Sequence, residues 1–98
     1  MENKPTIGRI LHYILDQRDA LSINTTRRDA GILAEQLRRK GVVEGNPVLA
    51  GQHVTMIVTA IFGVMLNGQL ILDGNGSHWV TSRDEGTENG TWHWPERE

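Results

Sequence analysis

The sequence predicts a single α+β domain: a small, strongly bent, SH3-like β-barrel of about five strands, with two helices inserted after the first strand. Three observations predict this fold. The chain has 98 residues, enough for one hydrophobic core but not for two. Its first half contains a β-like segment and two amphipathic segments, and its second half is β-like between Gly-rich turns. Closing the sheet protects edges that an open sheet of this size leaves bare.

The first strand and the first helix are predicted to follow each other directly. Residues 6–15 are rich in Ile, Leu and Tyr, which favours a strand. Asp16, with Asp19 three residues later, is a variant of the capping box and starts a helix over residues 16–24. Thr25-Thr26 ends this helix, because threonine has a low helix propensity.

A second helix is predicted over residues 30–40. Asp29 can cap its start, and Gly41 supplies a C-terminal stop. The apolar face of this helix consists of Ile32, Leu33 and Leu37. The first strand and these two helices therefore account for most of residues 6–40.

The second half of the chain predicts a β-meander over residues 52–83. Residues 54–62 alternate so that one face of the strand is strongly apolar. Asn67-Gly68 is the strongest hairpin signal, because a two-residue turn needs positive φ at both positions. Gly74-Asn75-Gly76 predicts a further turn, and residues 91–95 predict a short C-terminal strand.

The composition narrows the class of function. Ten Lys and Arg against twelve Asp and Glu give a net charge of −2, which provides no general field for polymeric nucleic acid or an anionic membrane. The chain has no cysteine, so disulfides and thiolate metal sites are excluded. A domain this small has a thin stability margin, and we therefore expect a homo-oligomer. The N-terminal residues lack the apolar run of a signal peptide, which predicts a cytoplasmic protein.

The C-terminal segment resembles a family of small phage and prophage proteins. The resemblance lies in the stretch from Trp79 to Glu96, and its closing Gly-Thr-Trp-His-Trp-Pro-Glu, residues 90–96, is the most specific part. The stretches at residues 8–13, 19–28 and 45–48 are similar to the family as well. The resemblance implies a phage setting, in the cytoplasm of the infected bacterium. In size and lack of catalytic motifs the chain is also similar to phage anti-defence proteins that sequester nucleotide immune signals.

The tryptophan cluster at residues 92–95 is the most unusual motif. On a strand, Trp92 and Trp94 point to one face and His93 to the other. Together with Trp79, these rings can form a platform on which a base stacks. The alternative is structural, because both rings can anchor the C-terminus or fill a subunit interface.

Arg27 and Arg28 form the candidate phosphate site. Two guanidinium groups suit phosphate oxygens, and Asn24 lies one helical turn earlier. The predicted helix start near Ala30 would add free backbone N–H groups beside them. The alternative is a solvated polar corner between the two helices. Further candidate ligand residues are Arg9, Arg83 and His93.

No catalytic or metal-binding motif accompanies these residues. The four histidines fall on separate predicted strands without the spacing of a zinc site, so we expect neither a metal nor a cofactor. No serine lies in a nucleophile elbow, and no phosphate-binding glycine loop occurs. The protein is therefore expected to bind and not to catalyse.

Three functions follow from this sequence. The first is a phage-encoded binding protein that sequesters a small phosphorylated nucleotide, such as a cyclic dinucleotide or an ADP-ribose derivative. Arg27 and Arg28 would then hold phosphate while Trp92 or Trp94 stacks on the base. The second is a virion or accessory protein whose tryptophan cluster docks a partner protein. The third is a small hydrolase of the same nucleotide signals.

Overall fold

The computed structural model describes residues 4–36 and 45–95, apart from the side chain of Ala34. The chain forms one helix and five strands in these ranges, in the order β1 (Ile10–Ile14), α1 (Gln17–Gln36), β2 (His53–Phe62), β3 (Met65–Ile71), β4 (Ser77–Arg83) and β5 (Trp92–His93). Within the same two ranges, no helix has both the length and the apolarity that a membrane crossing requires.

The five strands form an open antiparallel sheet, and the predicted closed barrel is wrong. The strand order is β4-β3-β2-β1-β5, so β4 and β5 are the two edges. In the described residues the two edges come together at one corner, where Glu85, two residues after β4, pairs with Trp92 of β5. Because β5 has two residues, it cannot continue that pairing along the edge of β4. The residues after β4 therefore join the two edges at this corner and leave the rest of the sheet open.

The predicted pair of helices is also wrong, because α1 runs without interruption from Gln17 to Gln36. Thr25-Thr26 lies inside it. The low propensity of each threonine costs only about half a kcal/mol, whereas stopping and restarting a helix sacrifices hydrogen bonds and requires a second nucleation. Residues 37–40 of the predicted second helix lie outside the described residues.

The start of α1 has the reciprocal bonds of a capping box. The backbone N–H of Asp19 donates to Oδ1 of Asp16 at 2.7 Å, and the N–H of Asp16 donates to Oδ2 of Asp19 at 3.3 Å. These bonds satisfy N–H groups that a helix start leaves without partners. The preceding strand is shorter than predicted, since a turn occupies residues 7 and 8.

The hairpin between β2 and β3 turns at Gly63-Val64, not at Asn67-Gly68. Gly63 has a φ of 62°, whereas Gly68 lies inside β3 and pairs with Val58 and Val80. Asn67 lies at a register shift, and its side-chain oxygen accepts the backbone N–H of Ser82 at 2.8 Å. The Asn-Gly pair therefore marks an irregularity in the strand instead of its end.

The hydrophobic core lies between the sheet and the N-terminal half of α1. The sheet and loops contribute mainly Leu11, Tyr13, Leu15, Met56, Val58, Leu66, Leu70, Leu72, Val80 and Trp92. The helix contributes Ala20 and Ile23. Beyond Ile23, Ile32 and Leu33 are exposed. The sheet is therefore covered by only the first part of a long helix.

Candidate binding cleft at the hairpin end of the sheet

Arg27 holds two loops together instead of presenting its charge to solvent. Its guanidinium donates to the carbonyl oxygen of Asn46 and to that of Asp73, the latter at 3.1 Å. Gly45 pairs with Gly74 at the same place. Because Arg27 lies in the middle of α1, it also lacks the free N–H groups of a helix start that the predicted phosphate site requires.

Asn24 has a similar structural use one turn earlier. Its side-chain nitrogen donates to the carbonyl of Val48 at 2.8 Å, and its side-chain oxygen accepts the N–H of Val48 at 2.9 Å. Arg28 is exposed and lies 3.8 Å from Asp29. Of the three residues of the predicted phosphate site, only Arg28 thus extends into solvent, and these contacts give the phosphate role no support.

Trp92 and Trp94 anchor the C-terminal segment. Trp92 is 3% exposed, and its indole N–H donates to the carbonyl of Arg83 at 3.1 Å. Trp94 meets it edge to face, with the ring centroids 6.3 Å apart, and the guanidinium of Arg9 lies 5.2 Å from the centroid of Trp94. The buried Trp92 is therefore unavailable for stacking on a base, and the guanidinium of Arg9 covers one face of the Trp94 ring. Trp79 is 56% exposed on β4, at a distance from this cluster along the sheet.

Arg83 belongs to a charged network around Asp19, a buried residue in the first turn of α1. The carboxylate of Asp19 accepts the hydroxyl of Tyr13 at 2.6 Å and lies 3.2 Å from Nε2 of His78. The guanidinium of Arg83 lies 3.6 Å from Asp19 and 3.4 Å from Asp16. The network fixes α1 to the sheet, because its members come from the helix, β1 and β4.

Two pKa values reflect this network. Burial alone raises the pKa of the Asp19 carboxyl, but hydrogen bonds from Tyr13 and the Asp16 N–H, with the charge of Arg83, outweigh it and lower that pKa. Burial and the bond to Asp19 raise the pKa of the Tyr13 hydroxyl. Sequence reasoning assigned only a capping role to Asp19. The sequence signal for the other contacts of Asp19 was that Tyr13 and His78 each occupy a strand position whose side chain points toward the apolar face.

A cleft of about 670 Å³ lies at the opposite end of the molecule from Arg27, beside the β2–β3 turn. Its lining consists of Lys4, Pro5, Ile61, Gly63, Val64, Leu66, Asp84, Glu85 and Trp92. The volume falls within the range of about 300 to 1,000 Å³ that is typical of ligand sites. Trp92 and Leu66 are buried core residues, so the floor of the cleft is apolar and continuous with the hydrophobic core.

The local sequence explains the form of the cleft. Gly63 permits the tight turn that places Ile61 and Val64 in the cleft lining, and Pro5 joins the lining from the N-terminal segment. Backbone bonds from the Trp92 N–H to Asp84 and from the Gly86 N–H to Trp92 hold the loop after β4 against the floor. Two carboxylates, Asp84 and Glu85, therefore lie at the cleft beside one ammonium group, Lys4.

Apolar side chains continue outward from the cleft over the tip of the hairpin. Val64 is 81% exposed, Phe62 is 57% exposed, and Met65 and Ile61 are partly exposed. Exposure of this many neighbouring apolar side chains is unusual for a protein surface that touches only water. The sequence offered a weak signal here, the apolar run from Ile61 to Leu66, but a run of this kind is equally typical of a buried strand.

Three histidines come together on the face of the sheet away from α1. The ring centroids of His12 and His93 are 5.6 Å apart, and those of His53 and His93 are 4.9 Å apart. His93 thus lies on the other side of β5 from buried Trp92, as the predicted alternation requires. Among residues 4–36 and 45–95, no group of three His, Cys, Asp or Glu side chains has the arrangement of a metal site.

Comparison of the chain with protein-family models, with curated proteins and with solved structures gives no match. The functional argument therefore depends on the residues and geometry of the chain itself.

Proposed function

We propose that the protein is a non-catalytic binding module that holds a short segment of a partner protein in the cleft beside the β2–β3 turn. The segment carries an apolar side chain that enters the cleft and a Lys or Arg next to it. One observation carries this proposal: an apolar floor formed by Leu66 and Trp92 adjoins two carboxylates and an exposed apolar hairpin tip.

The apolar part of the surface supports a protein partner. Ile61 and Val64 are exposed in the cleft lining, and the strand pair Phe62 and Met65 forms an exposed apolar patch beside the cleft, on the other face of the hairpin. Exposed apolar side chains next to a cleft are typical of surfaces that bind another molecule. A small ligand would fill the cleft and leave this patch in water, whereas a polypeptide segment can cover both.

The charges at the cleft support a basic segment. Asp84 and Glu85 outnumber Lys4, so the lining carries a net negative charge at neutral pH. A phosphorylated nucleotide in this cleft would be repelled by two carboxylates and attracted by one ammonium group. A Lys or Arg side chain of a partner would instead pair with a carboxylate, which improves both specificity and association rate.

The other predicted functions receive less support from these contacts. Nucleotide sequestration stays a prediction, and its proposed ligands Asn24 and Arg27 already bond to backbone groups. The phage setting likewise stays a prediction from the C-terminal resemblance. In that setting the partner would be a virion protein or a protein of the host cytoplasm.

The test measures binding of fluorescein-labelled peptides by fluorescence anisotropy. One peptide has a central Phe flanked by Lys residues, and its matched peptide has Glu at the flanking positions. We expect the Lys peptide to bind more tightly. Glu85→Lys should weaken its binding about tenfold, because the change converts an attraction into a repulsion. Glu88→Lys is the matched control, since Glu88 lies in the same loop but outside the cleft lining.

Equal binding of the two peptides, or equal effects of Glu85→Lys and Glu88→Lys, would contradict a basic segment in this cleft. A thermal-shift screen with cyclic dinucleotides and ADP-ribose derivatives runs in parallel. A nucleotide that raises the melting temperature, in the absence of peptide binding, would support sequestration and overturn the proposal.

A further inference from the structure

The face of the sheet opposite α1 is open. Strand register places its side chains in rows that cross the sheet. One row consists of Trp79, Gln69, Ile57 and Ile10. The next consists of Ile71, Thr55, His12 and His93. Trp79, Ile10 and Ile71 are each about half exposed, so large apolar groups lie on a surface that α1 does not cover.

This face carries no carboxylate, ammonium or guanidinium group in either row. Among residues 4–36 and 45–95, the charged residues lie in α1, in the segments outside the strands and on the opposite side of the sheet, where Asp19 and Arg83 form their network. Interface centres are depleted in charged residues and enriched in aromatic ones, and Trp79 fits that composition. An uncharged surface can also meet a copy of itself without like-charge repulsion.

The size of the face fits a small dimer interface. The five strands contain 5, 10, 7, 7 and 2 residues, about six on average. With strands about 4.8 Å apart and about 3.3 Å per residue, they cover roughly 500 Å². Two such faces give about 1,000 Å², which is the lower limit for a specific interface. A second copy therefore matches this surface, and a weak, reversible dimer is the expected assembly.

We propose that two copies of this chain pack face to face through the open side of the sheet, related by a two-fold axis. In a two-fold interface the same surface is used by both copies, so a face whose rows carry no carboxylate, ammonium or guanidinium group is compatible with itself. Sheets packed in this way lie about 10 Å apart, with their side chains interdigitated. The dimer leaves the cleft open, because no residue of the two rows belongs to its lining.

Phe62 and Met65 lie on this same face and adjoin the dimer interface, whereas the lining of the peptide cleft does not belong to it. The β4 edge offers a different route to a dimer, in which two copies extend one sheet through hydrogen bonds. Trp79 lies on β4 and would be affected in both arrangements. Ile10 distinguishes the two arrangements, because β1 is separated from β4 by β2 and β3. A substitution of Ile10 therefore affects face-to-face packing and not pairing through the β4 edge.

The experiment is sedimentation velocity of the full chain over about 1 to 200 µM, the range in which an interface of this size associates. Ile10→Lys and Ile71→Lys should each raise the dimer dissociation constant at least about thirtyfold, which is the effect of replacing a hot-spot residue in an interface. Both side chains are about half exposed, so a lysine can extend into solvent in the monomer, and circular dichroism checks the fold. Val64→Lys, at the hairpin tip, is the matched control.

Loss of the dimer in both Ile variants, with an unchanged dimer in Val64→Lys, supports face-to-face packing. The dissociation constant should also change little between about 50 and 500 mM salt, because no charges meet. A wild-type chain that stays monomeric at the highest concentration overturns the proposal. An unchanged dimer in Ile10→Lys also overturns it and indicates edge pairing, whereas loss in Val64→Lys alone indicates contact through the hairpin tip.

Discussion

Single polar residues with several partners decide how this small domain is held together. Asn24 and Arg27 bind backbone groups of two loops, and Asp19 collects a hydroxyl, an imidazole and a guanidinium beneath α1. Each of these side chains replaces contacts that a larger core would supply. Arg27 was predicted as a phosphate ligand because guanidinium donors suit phosphate oxygens, with Asn24 one helical turn earlier. In the structure both side chains bond to backbone groups, which such donors and acceptors suit equally well.

Replacement of Asp19 by Asn should lower the free energy of unfolding by about 2 kcal/mol at pH 7, because it removes the charge that the Arg83 guanidinium and the Tyr13 hydroxyl bind. The pKa of Asp19 is lowered in the folded state, so its stabilising effect is present above about pH 4. The effect is lost as the pH falls through the lowered value. Urea unfolding at pH 7 and again near pH 2 measures the difference between the two proteins.

Asp29→Asn is the matched control, since Asp29 lies on the same helix with its side chain exposed. Its effect should stay within about 0.5 kcal/mol. A loss of stability in Asp19→Asn that is the same at both pH values would show that packing, and not charge, is what the substitution removes.

Element boundaries in this chain are set by packing more than by local propensity. Thr25-Thr26 does not end α1, and Asn67-Gly68 does not end β3. At both positions the local signal is worth less than about 1 kcal/mol, so continuous hydrogen bonding outweighs it. Gly68 is nevertheless required, for a reason that concerns the facing strand and not a turn.

Gly68→Ala should lower the free energy of unfolding by about 1 to 3 kcal/mol through overpacking. A Cβ atom at this position would lie 2.6 Å from Cγ of Met56 and 3.0 Å from the carbonyl oxygen of Ile57. The double variant Gly68→Ala with Met56→Ala tests this reason, because the space left by Met56 should make the effects of the two changes non-additive. Chemical denaturation of the four proteins gives the coupling.

Strictly additive effects in that cycle would contradict a clash with Met56. Gly76→Ala is a useful comparison, since a Cβ there meets nothing within 4 Å but the residue has a φ of 82°. Its expected loss of about 1 kcal/mol comes from backbone strain alone.

Across the whole molecule, the core covers only part of the secondary structure. The sheet is central and buried on one side, whereas α1 contacts it through Asp19, Ala20 and Ile23. Its later turns carry Ile32 and Leu33 in exposed positions. Stability should therefore be distributed unevenly, with the sheet and the first turns of α1 opening last.

Hydrogen exchange followed by mass spectrometry or NMR tests this distribution. Amides of β2 and β3 should exchange only through global unfolding, because these strands are paired on both sides. Amides of residues 28–36 should exchange by local opening, at least about a hundredfold faster. Equal protection in the two regions would mean that the later half of α1 is packed against something, such as a second copy of the chain.

Several features of the fold were predictable from the sequence because they depend on local chemistry. The alternation of residues 54–62 predicted a strand, the spacing of Asp16 and Asp19 predicted a helix start, and Gly74-Asn75-Gly76 predicted a turn. The buried strand position of Trp92 and the opposite orientation of His93 also follow from a two-residue period. These patterns are set by neighbours in the chain.

The rest was decided by contacts between distant residues. Whether β4 pairs with β5 along its edge depends on the length of β5, and no local sequence pattern predicts that the sheet stays open. The cleft joins residues near positions 4, 63, 85 and 92, and the open face joins five strands. Arg27 suits a phosphate or a carbonyl equally well in the sequence. Only the tertiary structure determines which oxygen it meets, because that choice depends on the loops folded against it.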